Sequence, residues 1–169
     1  IPLLYYPQPD VDFHLKVDAS LFAIGGTLEQ EQNGKFVPLG FASKTLCKSR
    51  QAYCATKREL YAVVFFMRYF RDITRGTMVV IWTDHAALTW VQKYHQSDNM
   101  FIRWIVELSW YKPWKILHVA GKLNEVADSL SRKREEYPEQ QQLFDKRRPC
   151  KLGECPDCKF HNAKLERCR

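Results

Sequence analysis

The sequence predicts an α/β domain: a mixed β-sheet whose first three strands are antiparallel, with helices packed on its faces. Three observations carry that prediction. Asp12-Phe13-His14-Leu15-Lys16-Val17-Asp18 alternates strictly and is followed by two more strand candidates around an Asn33-Gly34 turn. Ser49 to Asp72 has the periodicity of one long amphipathic helix. Met78-Val79-Val80-Ile81-Trp82-Thr83 is a short run, apolar on both pleat faces, as a strand in the middle of a sheet must be. Strands interleaved with helical segments in this way pack as helices on a sheet.

The bulk numbers narrow the class. The chain has 169 residues, 46% of them hydrophobic, enough for one sizeable core and too few for two. Position 1 is Ile rather than Met, which leads us to expect a piece of a longer polypeptide. The opening lacks the basic and apolar regions of a signal peptide. No run approaches the roughly 20 apolar residues of a membrane span, so no membrane partner is expected. The net charge of +7 favours a polyanion as partner. That excess is spread along the chain: 16 Lys+Arg against 12 Asp+Glu in residues 1–132, and 10 against 7 in residues 133–169. Cys47 and Cys54 read as ordinary reduced thiols, which points to a reducing intracellular compartment.

Taken in order, residues 1–10 carry three prolines and read as a leading linker. In the first strand Phe13, Leu15 and Val17 share one face, which leaves Asp18 in phase with the polar one. A second strand from Leu21 to Gln30 contains Gly25-Gly26, a pair that marks a bulge or a close approach of backbone to a neighbour. The third strand runs from Lys35 to about Ser43. On the wheel of the Ser49–Asp72 helix, Arg50, Lys57, Arg58, Arg68 and Asp72 fall on one side. Ala52, Ala55, Ala62, Val63, Phe66 and Phe70 fall on the other, with Glu59 in their midst. After the central strand come short helices over Ala86–Lys93 and Met100–Trp110, the second capped by Asp98 or Asn99. Trp114–Val119 reads as the last strand, and Asn124 caps a helix through Ser131.

Four carboxylates stand out. Asp18, Glu59, Asp84 and Asp128 each have a plain explanation alone: a solvated strand end, a stripe-edge residue, a helix cap and a surface position. If the strands of Asp18 and Asp84 are neighbours, the helix carrying Glu59 packs over the same edge. Carboxylates that close cannot all ionise without cations. An all-oxygen donor set suits a hard divalent ion, magnesium best of all. Two such ions about 4 Å apart activate water and stabilise the leaving oxygen of a phosphodiester.

Six segments then carry a resemblance. They are Val17-Asp18-Ala19-Ser20, Pro38 to Leu46, Thr56-Lys57-Arg58-Glu59-Leu60, Thr83-Asp84-His85, Arg103-Trp104 and Gly121 to Arg132. In this order they resemble the ribonuclease H domain of the reverse transcriptase of gypsy-type long-terminal-repeat retrotransposons, over residues 11–132. The resemblance implies a ribonuclease H-like fold with a five-stranded mixed sheet and helices on both faces. It implies metal-dependent cleavage of the RNA strand of RNA–DNA hybrids, leaving a 3′-hydroxyl and a 5′-phosphate. It also implies that Asp18, Glu59, Asp84 and Asp128 hold two magnesium ions, with Asp18 on both, Glu59 and Asp84 on one and Asp128 on the other. Ser20, His85 and Asn124 belong to the motifs as residues that position the site. Lys44, Lys48, Arg50, Lys57 and Lys122 are candidates for contacts to the hybrid.

Cellular members of that fold carry a histidine in the loop before the last aspartate. Here the loop is Ala120-Gly121-Lys122-Leu123, so slower turnover is expected, without loss of activity. The family implies a polymerase domain on the N-terminal side, an integrase on the C-terminal side, and a virus-like particle in the cytoplasm or the nucleus as the setting. The rival is a catalytically silent module of the same fold, used to bind nucleic acid or as a spacer; such modules lack the acidic set. Integrases use three acids, and exonucleases of the superfamily open with an Asp-x-Glu pair, whereas position 20 is Ser.

Residues 133–169 turn charged and Gln-rich and read as a tail or tether. Within it Cys155-Pro156-Asp157-Cys158 forms half of a zinc site, which His161, Cys168 or Cys150 could complete. A cysteine-bearing tether without metal is the alternative.

Overall fold

The computed structural model of the protein describes residues 3–93 and 99–132. The tail, with Cys150, Cys155, Cys158, His161 and Cys168, lies outside the described residues. One sheet contains β1 (Phe13–Ala19), β2 (Ala23–Gln32), β3 (Lys35–Thr45), β4 (Val79–Thr83) and β5 (Trp114–His118) in the order β3-β2-β1-β4-β5. The pairs β1–β2 and β2–β3 are antiparallel, whereas β1–β4 and β4–β5 are parallel. At the β2–β3 hairpin Asn33 and Gly34 both have positive φ, 54° and 74°, the backbone that a tight turn between twisted strands requires.

The parallel β1–β4 pairing places the site. Lys16 lies opposite Trp82, so Asp18 and Asp84, each two residues further on, leave the sheet side by side. Between them the strands supply much of the core: Leu15, Val17, Ile24, Leu28, Val79 and Ile81 are buried.

Helices cover both faces, and the Gly25-Gly26 pair is where they come closest. Successive residues of a strand point to opposite faces. A Cβ on Gly26 would stand 2.7 Å from the Phe66 ring of α2 (Ala55–Tyr69). One on Gly25 would stand 2.3 Å from the carbonyl of Ala127 in α5 (Glu125–Ser131). The close backbone approach expected from the sequence is thus present on both sides at once.

The long helix expected over Ser49–Asp72 is three pieces: α1 (Lys48–Gln51), α2, and α3 (Arg71–Thr74). Cys54 is extended, with φ −68° at the earlier cap Cys47 and −65° at Cys54 itself, so the chain turns before entering α2. Arg58, expected on the solvent side, is buried in α2; a long apolar stem lets a cationic residue pack in this way. Ala86–Lys93 is helical but wound as a 3-10 segment. Residues expected as a leading linker are tied to the sheet: Tyr5 N–H donates to the Pro38 carbonyl at 2.9 Å, and Gln30 Nε2 donates to the carbonyls of Gln8 and Val11. Over the outer side of α2 lies α4 (Asn99–Ser109), joined to it by Arg68 and Glu107. Among the described residues no helix is long and apolar enough to cross a membrane.

Replacing Gly25 by Ala should force α5 off the sheet and cost about 1–3 kcal/mol, the range for overpacking a filled core. Urea denaturation with an unchanged midpoint would contradict this account of the glycine pair.

Candidate active site

Three carboxylates meet at the carboxyl ends of β1 and β4. Asp18, Glu59 and Asp84 each present an oxygen within 4.8 Å of the others. Asp18 is set by the β1 register and Asp84 by the end of β4. Glu59 arrives from the first turns of α2, because the apolar neighbours Leu60, Val63 and Phe66 face the sheet. Its carboxylate accepts from the Ala19 N–H at 3.1 Å and from Thr83 Oγ1 at 3.5 Å.

Asp18 and Glu59 are 7% and 5% exposed, whereas Asp84 opens to solvent. Burial raises the Asp18 carboxyl to about 6, opposed by its hydrogen bond from Ser131 and reinforced by the charges of Asp84 and Asp128. Glu59 is pushed well above the ordinary carboxylate range by burial and then by Asp18 and Asp84. Asp84 is raised as well, by burial and by Asp128. A buried, all-oxygen, like-charged set is a poor structural element and a good cage for a hard cation. These residues therefore fit a divalent metal ion.

Asp128 stands beside the trio without joining it. Its charge is felt at both Asp18 and Asp84, but its own carboxylate accepts from Arg132 Nε at 2.5 Å, one helical turn on. The other expected positioning residues tie the site together. Ser20 Oγ accepts from the N–H groups of Phe22 and Ala23 and donates to the Ser131 carbonyl at 2.7 Å. His85 N–H donates to Thr83 Oγ1, and its Nε2 lies 2.9 Å from Thr56 Oγ1 at the start of α2. Asn124 does not cap α5 with its side chain; Nδ2 donates to the Val17 carbonyl at 2.8 Å instead. A cap would use Oδ1 as acceptor; the side chain is turned instead so that its amide N–H reaches the buried Val17 carbonyl next to Asp18, and the bond joins the start of α5 to β1.

The basic candidates divide. Lys44 lies over the Phe65 ring at 4.6 Å, Arg50 over Tyr61 at 4.5 Å and Lys57 over Phe101 at 5.8 Å. Their charges rest on aromatic faces of their own domain, along the α2 side of the site. Lys48 begins α1 and is exposed. Lys122 is exposed in the short 3-10 turn beside Gly121, where an added Cβ would stand 3.6 Å from Asp84 Oδ2.

Sequence reasoning gave no site role to Thr56, Thr83, His118, Ser131 or Arg132, although all but His118 lie within the motif segments. His118 Nε2 lies 3.1 Å from the Asp84 carbonyl at the rim of the site. Arg132 had a signal, the i, i+4 spacing from Asp128. Thr56 and Thr83 open motif segments, but nothing in their spacing announces a bond to His85 or Glu59.

Residues 8–111 match the family described as the RNase H-like domain found in reverse transcriptase. The retrovirus-related Pol polyprotein from transposon 297 of Drosophila melanogaster is 38% identical over 131 residues, covering 78% of this chain and 12% of the polyprotein. The polyprotein from transposon gypsy of the same organism is 33% identical over 131 residues, covering 77% of this chain and 12% of its own length. The chain thus spans a small part of these relatives. Among solved structures, RNase H1 from the halophilic archaeon Halobacterium salinarum NRC-1 aligns with a TM-score of 0.54 at 17% identity, over 71% of this chain and 92% of that one. The foamy viral protease-reverse transcriptase in complex with RNA/DNA hybrid aligns with a TM-score of 0.53 at 16% identity, over 69% of this chain and 16% of that one. At such identities the structures establish the shared fold, while the sequence matches establish the family. The chain belongs to the RNase H-like domains of retroelement reverse transcriptases.

Proposed function

We propose that this domain hydrolyses the RNA strand of RNA–DNA hybrids during reverse transcription, with two magnesium ions held by Asp18, Glu59, Asp84 and Asp128. The observation that carries the reading is the convergence of Asp18, Glu59 and Asp84 within 4.8 Å. A silent module gains nothing from burying like charges that repel one another, so the trio favours an enzyme over a spacer. Magnesium bound there would neutralise the carboxylates and stabilise charge developing on the scissile phosphodiester.

The chain's own residues do the rest. Thr83 and the Ala19 N–H orient Glu59. Thr56 and Thr83 fix the turn that carries Asp84 and His85. Ser20 and Asn124 fasten α5, and with it Asp128, to β1. Lys44, Lys48, Arg50, Lys57 and Lys122 are the residues we assign to the phosphates of the hybrid. A foamy viral relative in fold was solved with an RNA/DNA hybrid, which supports the same substrate class here. The Pol polyprotein relatives support a place in a longer chain; from the family resemblance we infer a polymerase portion before this domain, an integrase after it, and an intracellular virus-like particle as the setting.

Cleavage of a labelled hybrid should require magnesium, and Asp84→Asn should lower it by about 100-fold or more while leaving hybrid affinity in place. An Asp84→Asn protein as active as the wild type would remove the hydrolase reading.

Stability should depend on pH in a direction the carboxyl shifts fix. Asp18, Glu59 and Asp84 bind protons more tightly folded than unfolded. Their contribution is therefore fully present below the ordinary carboxylate range and is lost as pH rises through the folded values, about 6 for Asp18. In chelator, thermal stability should fall between about pH 3.5 and 7, by on the order of 3 kcal/mol from Asp18 alone. Excess magnesium should flatten that decline. Parallel melting curves in chelator and in magnesium would contradict a cation site at the trio.

A further inference from the structure

We propose that Ser131, at the end of α5, is a positioning residue that holds the Asp18 carboxylate in its metal-binding orientation. The inference rests on the metal-dependent reading above and deepens it. Ser131 is fully buried, and its hydroxyl donates to Asp18 Oδ2, 113 positions earlier in the chain. A second acceptor, the Asp128 carbonyl, lies 2.9 Å from the same oxygen. A hydroxyl has one proton to give. A carboxylate is the stronger acceptor, so the proton goes to Asp18 and the helical carbonyl is left the weaker contact.

The geometry around Ser131 suits this task better than simple docking. Its own carbonyl accepts from Ser20 Oγ at 2.7 Å, which pins the residue to the turn after β1. Docking of α5 is served separately: Ser43 Oγ donates to the Leu130 carbonyl at 2.6 Å, and Asn124 ties the other end of the helix to Val17. With its main chain held by Ser20, the Ser131 hydroxyl points at Asp18. Asp18 Oδ2 is thereby fixed by a neutral donor, leaving the other oxygen free to face a cation. Partners of this kind, one step behind the ligands, set ligand orientation in metal sites and change affinity by about 10–100-fold when removed.

The test uses the full chain and magnesium alone as the probe. Calorimetric titration with magnesium should show affinity about tenfold weaker or more in Ser131→Ala, and about the same loss in Ser131→Cys, whose thiol is a poor donor. Ser131→Thr, which keeps the hydroxyl, should stay within about threefold of wild type. Ser43→Ala removes a docking bond of the same helix and should leave magnesium affinity unchanged. With labelled hybrid, Ser131→Ala should lose kcat and keep KM. Wild-type affinity in both Ser131→Ala and Ser131→Cys, or an equal loss in Ser43→Ala, would overturn the role of Ser131 alone. A wild-type chain that neither takes up magnesium nor cuts the hybrid would overturn the hydrolase reading and this inference with it.

Discussion

Asp18, Glu59 and Asp84 repel one another at short range, the first two buried and the third at the solvent edge, and the rest of the domain is arranged to keep them there. Left to themselves, such groups would move apart or take up protons, because desolvation and like charge both disfavour the ionised form. The fold resists with directed bonds. Ala19 and Thr83 hold Glu59, Ser131 holds Asp18, and the end of β4 fixes the backbone of Asp84. These supports come from β1, β4 and α5 and act on an acid carried by α2, so the arrangement exists only when the sheet, α2 and α5 are assembled together.

The topology makes that assembly geometrically natural. Parallel pairing of β1 with β4 brings two strand ends to the same edge, where chemistry in α/β sheets gathers. The connection between β1 and β4 contains a hairpin and α2, and α2 crosses one face with Glu59 near its leading end. The opposite face receives α5, the last described element, which adds Asp128 and Arg132 at the rim. Asp128 is thus available to the site while engaged with a counter-charge of its own.

Much of this was legible in the sequence because local patterns and their consequences agreed. Alternation in residues 12–18, the Asn33-Gly34 turn and the apolar run before Asp84 each specify a strand without reference to anything distant. Glu59 was conspicuous as a charge inside an apolar stripe, and the Gly25-Gly26 pair as missing side chains inside a strand. What was not legible depends on partners far away in the chain. The periodicity of Ser49–Asp72 continues across the break before α2, so the break at Ala52–Cys54 leaves no mark on a helical wheel. Asn124 reads as a cap until the fold brings the Val17 carbonyl within reach of its amide N–H. Ser131 looks like any small residue at a helix end until the sheet supplies Asp18. Arg58 reads as a solvated cation because a wheel counts its charge and ignores its stem.

The two glycines of β2 have a bearing on tolerance as well as on fit. Where a sheet normally separates its covering helices by two layers of side chains, here the only spacer at one point is the peptide plane itself, with Phe66 against one side and the backbone of α5 against the other. Rotamers can be traded and cavities can relax, but bond lengths and planar amides cannot. The gap between the helix that bears Glu59 and the helix that bears Asp128 is consequently gauged by covalent structure, a ruler far stiffer than any packed core.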